Sequence, residues 1–167
     1  MSPLDWATRP LKKYADFSGR APRAEYWWFY LLIIIAYVVA MIIDSLVGGA
    51  AFGPYGVVLL VVMAGLIVPS IAAGVRRLHD TNRTGWWMAA PLIPYAIALV
   101  MMGPALADPT AMAAGGGAMG SMGGAMILML IGFIFAVVVF IFLVLQGNQG
   151  PNKYGDDPYA GGTSRAM

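Results

Sequence analysis

The chain has 167 residues, of which 60% are hydrophobic and 11% are charged. Soluble domains carry about 25% charged residues, and with so little polar surface a water-soluble fold would expose large apolar patches. We therefore expect an all-α membrane protein. The net charge of +2 is too small to indicate nucleic-acid binding. The chain has no cysteine, and its single histidine, His79, excludes a multi-histidine metal site within one chain, so no metal or cofactor is predicted.

The N-terminal segment, residues 3–17, mixes apolar and charged side chains and is too polar to cross a bilayer. Leu4, Leu11 and Tyr14 have roughly helical spacing, although Pro10 interrupts the pattern. Such a segment is expected to lie as a short element on the inner membrane surface. The alternative is an unstructured tail.

Four long apolar runs follow, and each can form a membrane helix, since about 20 apolar residues cross a hydrocarbon core of about 30 Å. Helices are expected because a strand would leave backbone groups unpaired in lipid. The sequence thus predicts a four-transmembrane-helix bundle, as a single membrane domain over residues 1–158 with a flexible tail at 159–167. The predicted helices comprise about residues 26–43, 57–75, 86–106 and 125–145.

Three prolines interrupt the predicted helices. Pro69 lies late in the second helix, and Pro91 and Pro94 lie in the first half of the third. Proline removes a backbone donor and clashes with the preceding turn, so kinks are expected. Kinked membrane helices can border a cavity, but more often such kinks only shape the packing.

Two features fall on the predicted outer side of the membrane. Asp44, at the end of the first helix, is expected to be hydrated, and the alternative is a proton or ion site. The segment 108–124 consists mainly of alanine, glycine and methionine and is expected to be a flexible loop. The alternative is a helix face of small residues at Gly116, Gly120 and Gly124.

The ten lysines and arginines are confined to alternate connections between the predicted helices. Five precede the first helix, three lie between the second and third, and two follow the fourth. By the positive-inside rule, this distribution places both termini in the cytoplasm. The pairs Trp27–Trp28 and Trp86–Trp87 open the first and third helices and mark the same interface.

Three polar clusters lie on this predicted cytoplasmic side, at residues 17–28, 76–87 and 147–158. They resemble the signature of the domain of unknown function 805 family, F-x-G-R-x-x-R-x-x-(aromatic)-W, R-R-x-H-D-x-x-R-(S/T)-G-W-W and G-x-x-G-x-N-x-(aromatic)-G-x-D-P. The resemblance covers roughly residues 10–158. It implies a small multi-pass protein of the bacterial inner membrane with no agreed biochemical role. The matching residues are Phe17, Gly19, Arg20, Arg23, Tyr26, Trp27, Arg76, Arg77, His79, Asp80, Arg83, Thr84, Gly85, Trp86, Trp87, Gly147, Gly150, Asn152, Tyr154, Gly155, Asp157 and Pro158.

The charged residues of these clusters form the candidate site. The short connection between the second and third helices crowds three arginines around one aspartate. Either these residues pin the loops together through ion pairs and arginine–backbone hydrogen bonds, or they hold an anion, an anionic lipid headgroup or a partner protein. The candidate binding residues are Arg20, Arg23, Arg76, Arg77, His79, Asp80 and Arg83. The residues predicted to build a structural cap are Glu25, Trp27, Trp86, Trp87, Asn152, Tyr154 and Asp157.

Catalysis is not predicted. His79–Asp80 resembles the histidine–aspartate pair of metal phosphohydrolases, but those sites need further histidines. Ser18, Ser70 and Ser164 have no nucleophile motif around them. The leading hypothesis is a non-enzymatic inner-membrane protein whose basic cytoplasmic cap binds a partner protein or anionic lipid. The alternative is an oligomeric channel or small transporter.

Overall fold

The structure, a computed structural model, describes residues 1–47, 56–107 and 117–160. Within these ranges it is helical, and the only β-type pairing there is one isolated bridge between Asn152 and Gly155. Its elements are α1 (Pro3–Lys12), α2 (Arg23–Val47), α3 (Val57–Asp80), a 3₁₀ helix (Gly85–Met88), α4 (Leu92–Ala107) and α5 (Gly117–Val144).

Four stretches of the described chain are long and apolar enough to cross a membrane, which confirms the predicted all-α membrane protein with four spans. The residues form two compact units. The first comprises Met1–Thr84 with the described residues from Leu145 onward, and the second comprises Gly85–Val144. The single domain over residues 1–158 stays a prediction. Residues 161–167 of the predicted tail lie outside the described ranges.

Helix α1 begins with a capping box. The Ser2 hydroxyl accepts a hydrogen bond from the Asp5 N–H (3.2 Å), and the Asp5 carboxylate accepts one from the Ser2 N–H (2.8 Å). These bonds satisfy backbone donors that the first turn leaves unpaired. The predicted short element therefore forms, and Pro10 lies inside the helix instead of interrupting it. The helix packs against α2 and α3.

Helices α2 and α3 pack together, with Phe29, Ile33 and Ala73 buried between partly buried neighbours. At the far end of α2 the carboxylate of Asp44 accepts hydrogen bonds from the N–H groups of Val58 (3.0 Å) and Leu59 (2.8 Å). Asp44 is therefore buried as a cap on the first turn of α3, and the prediction that it is hydrated is wrong.

The third span of the chain, which lies in the second unit, is not the continuous helix predicted for residues 86–106. Its 3₁₀ helix ends at Met88, and α4 begins at Leu92. Pro91 has no N–H and disfavours the helical conformation of the residue before it, so the chain breaks there. Pro94 lies in the first turn of α4, where a backbone N–H would have no helical partner.

The fourth span begins earlier than predicted, because α5 starts at Gly117. Residues 117–124, expected to belong to a flexible loop, are helical, and residues 108–116 lie outside the described ranges. Helices α4 and α5 pack closely at two glycines of α5. A Cβ on Gly124 would lie 2.7 Å from Met101 Cε, and one on Gly132 would lie 2.9 Å from Tyr95 Cε1. Within residues 117–124 the close approach to α4 is at Gly124, whereas Gly120 and Gly123 have nothing within 4 Å of an added Cβ. The segment is therefore helical although its composition indicated a loop.

Candidate functional site

The three polar clusters meet in the first unit. The Ala21 N–H donates to the Arg76 carbonyl (3.0 Å), and the Asn148 N–H donates to the Asp80 carbonyl (2.8 Å). These two bonds join the segment before α2, the last turns of α3 and the segment after α5. We call these three segments, residues 16–25, 76–83 and 145–159, the cap.

The first charged cluster of the cap has Asp80 at its centre. One carboxylate oxygen lies 3.0 Å from Arg20 Nη2 and the other lies 2.5 Å from Arg77 Nη1, and all three side chains are buried. One carboxylate thus meets two guanidinium groups. The other N–H groups of these arginines donate to the backbone carbonyls of Asn148, Gly150, Leu145 and Ala21. The cluster therefore links all three segments.

The second cluster has Glu25 at its centre. Its carboxylate oxygens lie 3.1 Å from Arg76 Nη2 and 3.4 Å from Arg9 Nε. Arg76 also donates to the carbonyl oxygens of Lys13 and Asp16, and these two hydrogen bonds hold the chain segment just after α1 in place. Arg76 and Glu25 are buried, whereas Arg9 is about one-third exposed. The sequence prediction did not include Arg9, and only its position in the folded chain identifies it.

Both clusters have one more arginine than carboxylate. A buried charge is costly unless it is paired and hydrogen-bonded. Here the additional positive charge of each cluster is met by backbone carbonyl oxygens, which are the negative ends of peptide dipoles. Most donors of Arg20, Arg76 and Arg77 are therefore occupied by the protein itself. Among the described residues, the Nε of Arg76 is a buried polar atom without a hydrogen-bond partner.

His79 is held between the first and third segments of the cap. Its Nδ1 lies 3.1 Å from the carbonyl oxygen of Gly19, which can only accept, so this nitrogen carries a proton. The imidazole stacks on the ring of Tyr154 with 3.8 Å between centroids. The side-chain amide of Asn152 donates to the His79 carbonyl at 2.9 Å. The side chain of His79 thus contacts the first and third segments of the cap, and its backbone carbonyl accepts a hydrogen bond from the third.

The third segment is shaped by side-chain acceptors. The two carboxylate oxygens of Asp157 accept from the N–H groups of Gly150 (2.9 Å) and Tyr159 (3.0 Å). Burial raises the pKa of the Tyr159 hydroxyl above its ordinary value, and the nearby charge of Asp80 acts in the same direction. Tyr159 is therefore neutral at physiological pH.

The first segment begins with a turn at Asp16. The hydroxyl and the N–H of Ser18 both donate to its carboxylate, at 2.5 and 3.0 Å, and these bonds lower the pKa of Asp16 below its ordinary value. The carboxylate is therefore charged at physiological pH, near the ammonium group of Lys13 (3.8 Å).

The other predicted residues lie at the margin of the cap or in the second unit. Arg23 donates to the Leu145 carbonyl (3.2 Å), and Arg83 donates to the Thr81 carbonyl (3.1 Å). Trp27 packs edge-on against Tyr26. In the second unit Trp87 packs edge-on against Phe142, and Trp86 is exposed. The structure therefore brings together Arg20, Arg23, Glu25, Arg76, Arg77, His79, Asp80, Asn152, Tyr154 and Asp157.

The sequence prediction also missed a contact of Tyr14. Its hydroxyl donates to the carbonyl oxygen of Gly65 at 2.6 Å. In a regular helix that carbonyl accepts from the N–H four residues later, but residue 69 is proline and has none. The open carbonyl can be inferred from the sequence, whereas the residue that pairs with it cannot.

These features define a helical membrane protein in which three segments of the first unit are joined by buried arginine–carboxylate clusters. Residues 14–156 match the family described as protein of unknown function (DUF805), and the chain belongs to this family. The resemblance of the three polar clusters is thereby confirmed.

Two relatives come from Escherichia coli strain K12. The chain is 35% identical to inner membrane protein YhaH over 92 residues, which cover 55% of this chain and 76% of the relative. It is 31% identical to inner membrane protein YhaI over 99 residues, which cover 59% of this chain and 80% of the relative. No solved structure matches the chain.

Proposed function

We propose that this chain is a non-enzymatic multi-pass protein of the bacterial inner membrane, with both termini in the cytoplasm and a cap that binds anionic lipid headgroups. The observation that carries the proposal is the one-sided placement of charge. All ten lysines and arginines fall before α2 or at its first residue, in the last turns of α3 or the junction after it, or after α5. The positive-inside rule assigns that side to the cytoplasm, and the names of YhaH and YhaI support the inner membrane.

The headgroups are expected to meet the exposed cations and not the buried ones. Arg76 and Arg77 donate to protein acceptors and hold the loops together. Lys12 and Lys153 are exposed, and Lys13 is partly exposed. Each cation near an anionic membrane surface contributes about 1 kcal/mol of attraction. The buried clusters thus fix the shape of the cap, and Lys153 in the cap together with Lys12 and Lys13 at the adjoining end of α1 carries the affinity for lipid.

The geometry around His79 and Asp80 supports a role without catalysis. The protonated Nδ1 of His79 faces the Gly19 carbonyl, and its ring is stacked on Tyr154. Both carboxylate oxygens of Asp80 are engaged by arginine. Asp80 is therefore engaged as an ion-pair partner, and the His79 ring is held as a contact between segments of the cap. The alternative of an oligomeric channel or small transporter stays a prediction, which ion flux into liposomes would test.

The proposal is tested by native mass spectrometry of the protein from nanodiscs of mixed phosphatidylglycerol and phosphatidylethanolamine, which measures how much of each lipid the protein retains. Replacing Lys12, Lys13 and Lys153 together by glutamine should reduce the preference for phosphatidylglycerol by roughly a hundredfold, from about 1 kcal/mol for each charge. Replacing the same three lysines by arginine is the matched control and should preserve it.

Equal retention of phosphatidylglycerol by the glutamine and arginine variants would overturn lipid binding. If instead a protein copurifies with the wild type and is lost only from the glutamine variant, while lipid retention is unchanged, the cap binds a protein partner and the lipid proposal fails. Since all three lysines are at the surface, both variants should fold like the wild type.

A further inference from the structure

Helix α1 has an apolar side that is exposed among the residues the structure describes. Trp6, Ala7 and Pro10 are buried in the packing of α1 against α2 and α3. Leu4 and Leu11, seven residues apart and so on one side of the helix, are 67% and 38% exposed. The exposed side borders the buried side, because the buried Ala7 lies between Leu4 and Leu11 along the helix.

The charged residues of α1 occupy a different side. At about 100° for each residue, Lys12 is turned about 100° from Leu11, and Asp5 and Arg9 lie near Lys12. The helix thus presents a protein-facing side, an exposed apolar side and a mainly basic side. An amphipathic helix of this kind, with cations beside exposed leucines, is typical of the boundary between headgroups and acyl chains.

The depth of α1 is limited by its contacts with α3. The 24 residues of α3 measure about 36 Å, which exceeds a hydrocarbon core of about 30 Å. Gly65, whose carbonyl accepts from Tyr14, lies about 22 Å from the Asp80 end of that helix at 1.5 Å for each residue. The chain just after α1 is also held by Arg76. The end of α1 therefore lies alongside the membrane-spanning length of α3 and not beyond its end.

We propose that the Leu4–Leu11 side of α1 is inserted among the acyl chains of one leaflet, so that α1 is a fifth membrane contact besides the four spans. Lipid satisfies both exposed sides at once: acyl chains cover the leucines, and headgroup phosphates meet Lys12. A second copy of the chain would have to supply an apolar and an acidic surface at the same place. The insertion depends on apolar contact and goes beyond the proposed preference for anionic headgroups.

The chain contains no cysteine, so single cysteines can be labelled without background. Leu4→Cys and Leu11→Cys place a bimane fluorophore on the apolar side, and Lys12→Cys places the same fluorophore one residue later on the basic side. Each variant is reconstituted in vesicles of phosphatidylcholine alone. Quenching is measured with a nitroxide attached to the acyl chain and, separately, with iodide in the buffer.

Labels at positions 4 and 11 should be quenched several-fold more strongly by the acyl-chain nitroxide than the label at position 12, and iodide should show the reverse order. Equal access of iodide to positions 11 and 12 would overturn the insertion. Shielding of positions 4 and 11 from both quenchers would show a protein contact and would overturn it as well. Because the vesicles are zwitterionic, the result does not depend on whether the lysines select anionic lipid.

Discussion

The hydroxyl of Tyr14 pairs with the backbone carbonyl of Gly65, 51 residues later, at the position where Pro69 leaves helix α3 without a donor. Within a membrane span an unpaired backbone group is costly, and membrane proteins tolerate proline where another group restores the missing bond. Tyr14 provides that bond from the turn that follows α1. The contact therefore ties the N-terminal element to the interruption in α3.

The Tyr14 bond predicts a dependence between two substitutions. Tyr14→Phe should lower the free energy of unfolding by about 1 kcal/mol, because it leaves the Gly65 carbonyl unsatisfied. In a Pro69→Ala background residue 69 again has an N–H, so the same Tyr14→Phe change should cost close to nothing. Steric-trapping measurements of unfolding in bicelles would give the four values of this double-mutant cycle. An equal cost of Tyr14→Phe in both backgrounds would contradict the proposed pairing.

The Asp80 cluster predicts a large effect of removing one charge. Asp80→Asn leaves Arg20 and Arg77 buried without their carboxylate, and breaking a buried ion pair in this way costs about 3–5 kcal/mol. Asp156→Asn, at an exposed position of the same cap, should change stability by less than about 0.5 kcal/mol. Thermal unfolding in detergent, followed for both variants, would check the difference. Similar melting temperatures for the two would show that Asp80 does not hold the arginines.

Two glycines predict opposite effects of the same substitution. A Cβ on Gly147 would overlap the carboxylate of Asp80, whereas Gly123 in α5 has nothing within 4 Å of that position. Gly147→Ala should therefore destabilise the protein by about 1–3 kcal/mol through forced displacement. Gly123→Ala should be neutral or stabilise it by up to about 1 kcal/mol, because alanine favours helix. A stabilising Gly147→Ala would contradict the close approach of the third segment to Asp80.

The proposed orientation predicts which positions can be labelled from outside the cell. Single cysteines at Ser2 and Gln149 should react with a membrane-impermeant maleimide only after the inner membrane is opened, because both sites lie on the positively charged side. A cysteine at Leu46, exposed at the opposite end of α2, should react in intact spheroplasts. The reverse pattern would place the termini outside and remove the basis of the proposed function.

Much of the fold could be predicted, because lipid imposes a simple requirement on length and apolarity. Each of the four runs is long and apolar enough to predict a membrane helix, and the charged clusters beside them were predicted to form a cap on one side of the membrane. The positions where the helices depart from this pattern were harder to predict. The interruption at Pro91 was predicted as a kink, but the start of α5 at Gly117 was not predicted, since glycine composition favours a loop.

Most of the pairing of charges could not be read from the sequence. Arg77 and Asp80, three residues apart on α3, are spaced as a helical ion pair. The pairing of Arg20 with Asp80, and of Arg9 and Arg76 with Glu25, has no such signal in the spacing. Asp44 is a further case, because its role as a helix cap depends on where the chain returns after residues 48–55. In each case the fold brings the partner close, whereas the sequence shows only the residue types and their order along the chain.

The cap contains residues that are synthesised early and residues that are synthesised late, so it cannot form completely until the last of its segments has been made. Asp80 and its arginines leave the ribosome well before Asn148 and Gly150, whose carbonyls accept from Arg20. Until those residues follow, the guanidinium of Arg20 lacks acceptors that it has in the finished protein. A chain that stalls before α5 is complete would thus carry an unfinished charged cluster beside the membrane. The first unit can close only after the whole second unit has been made, so closure of the cap reports that all four spans have been synthesised.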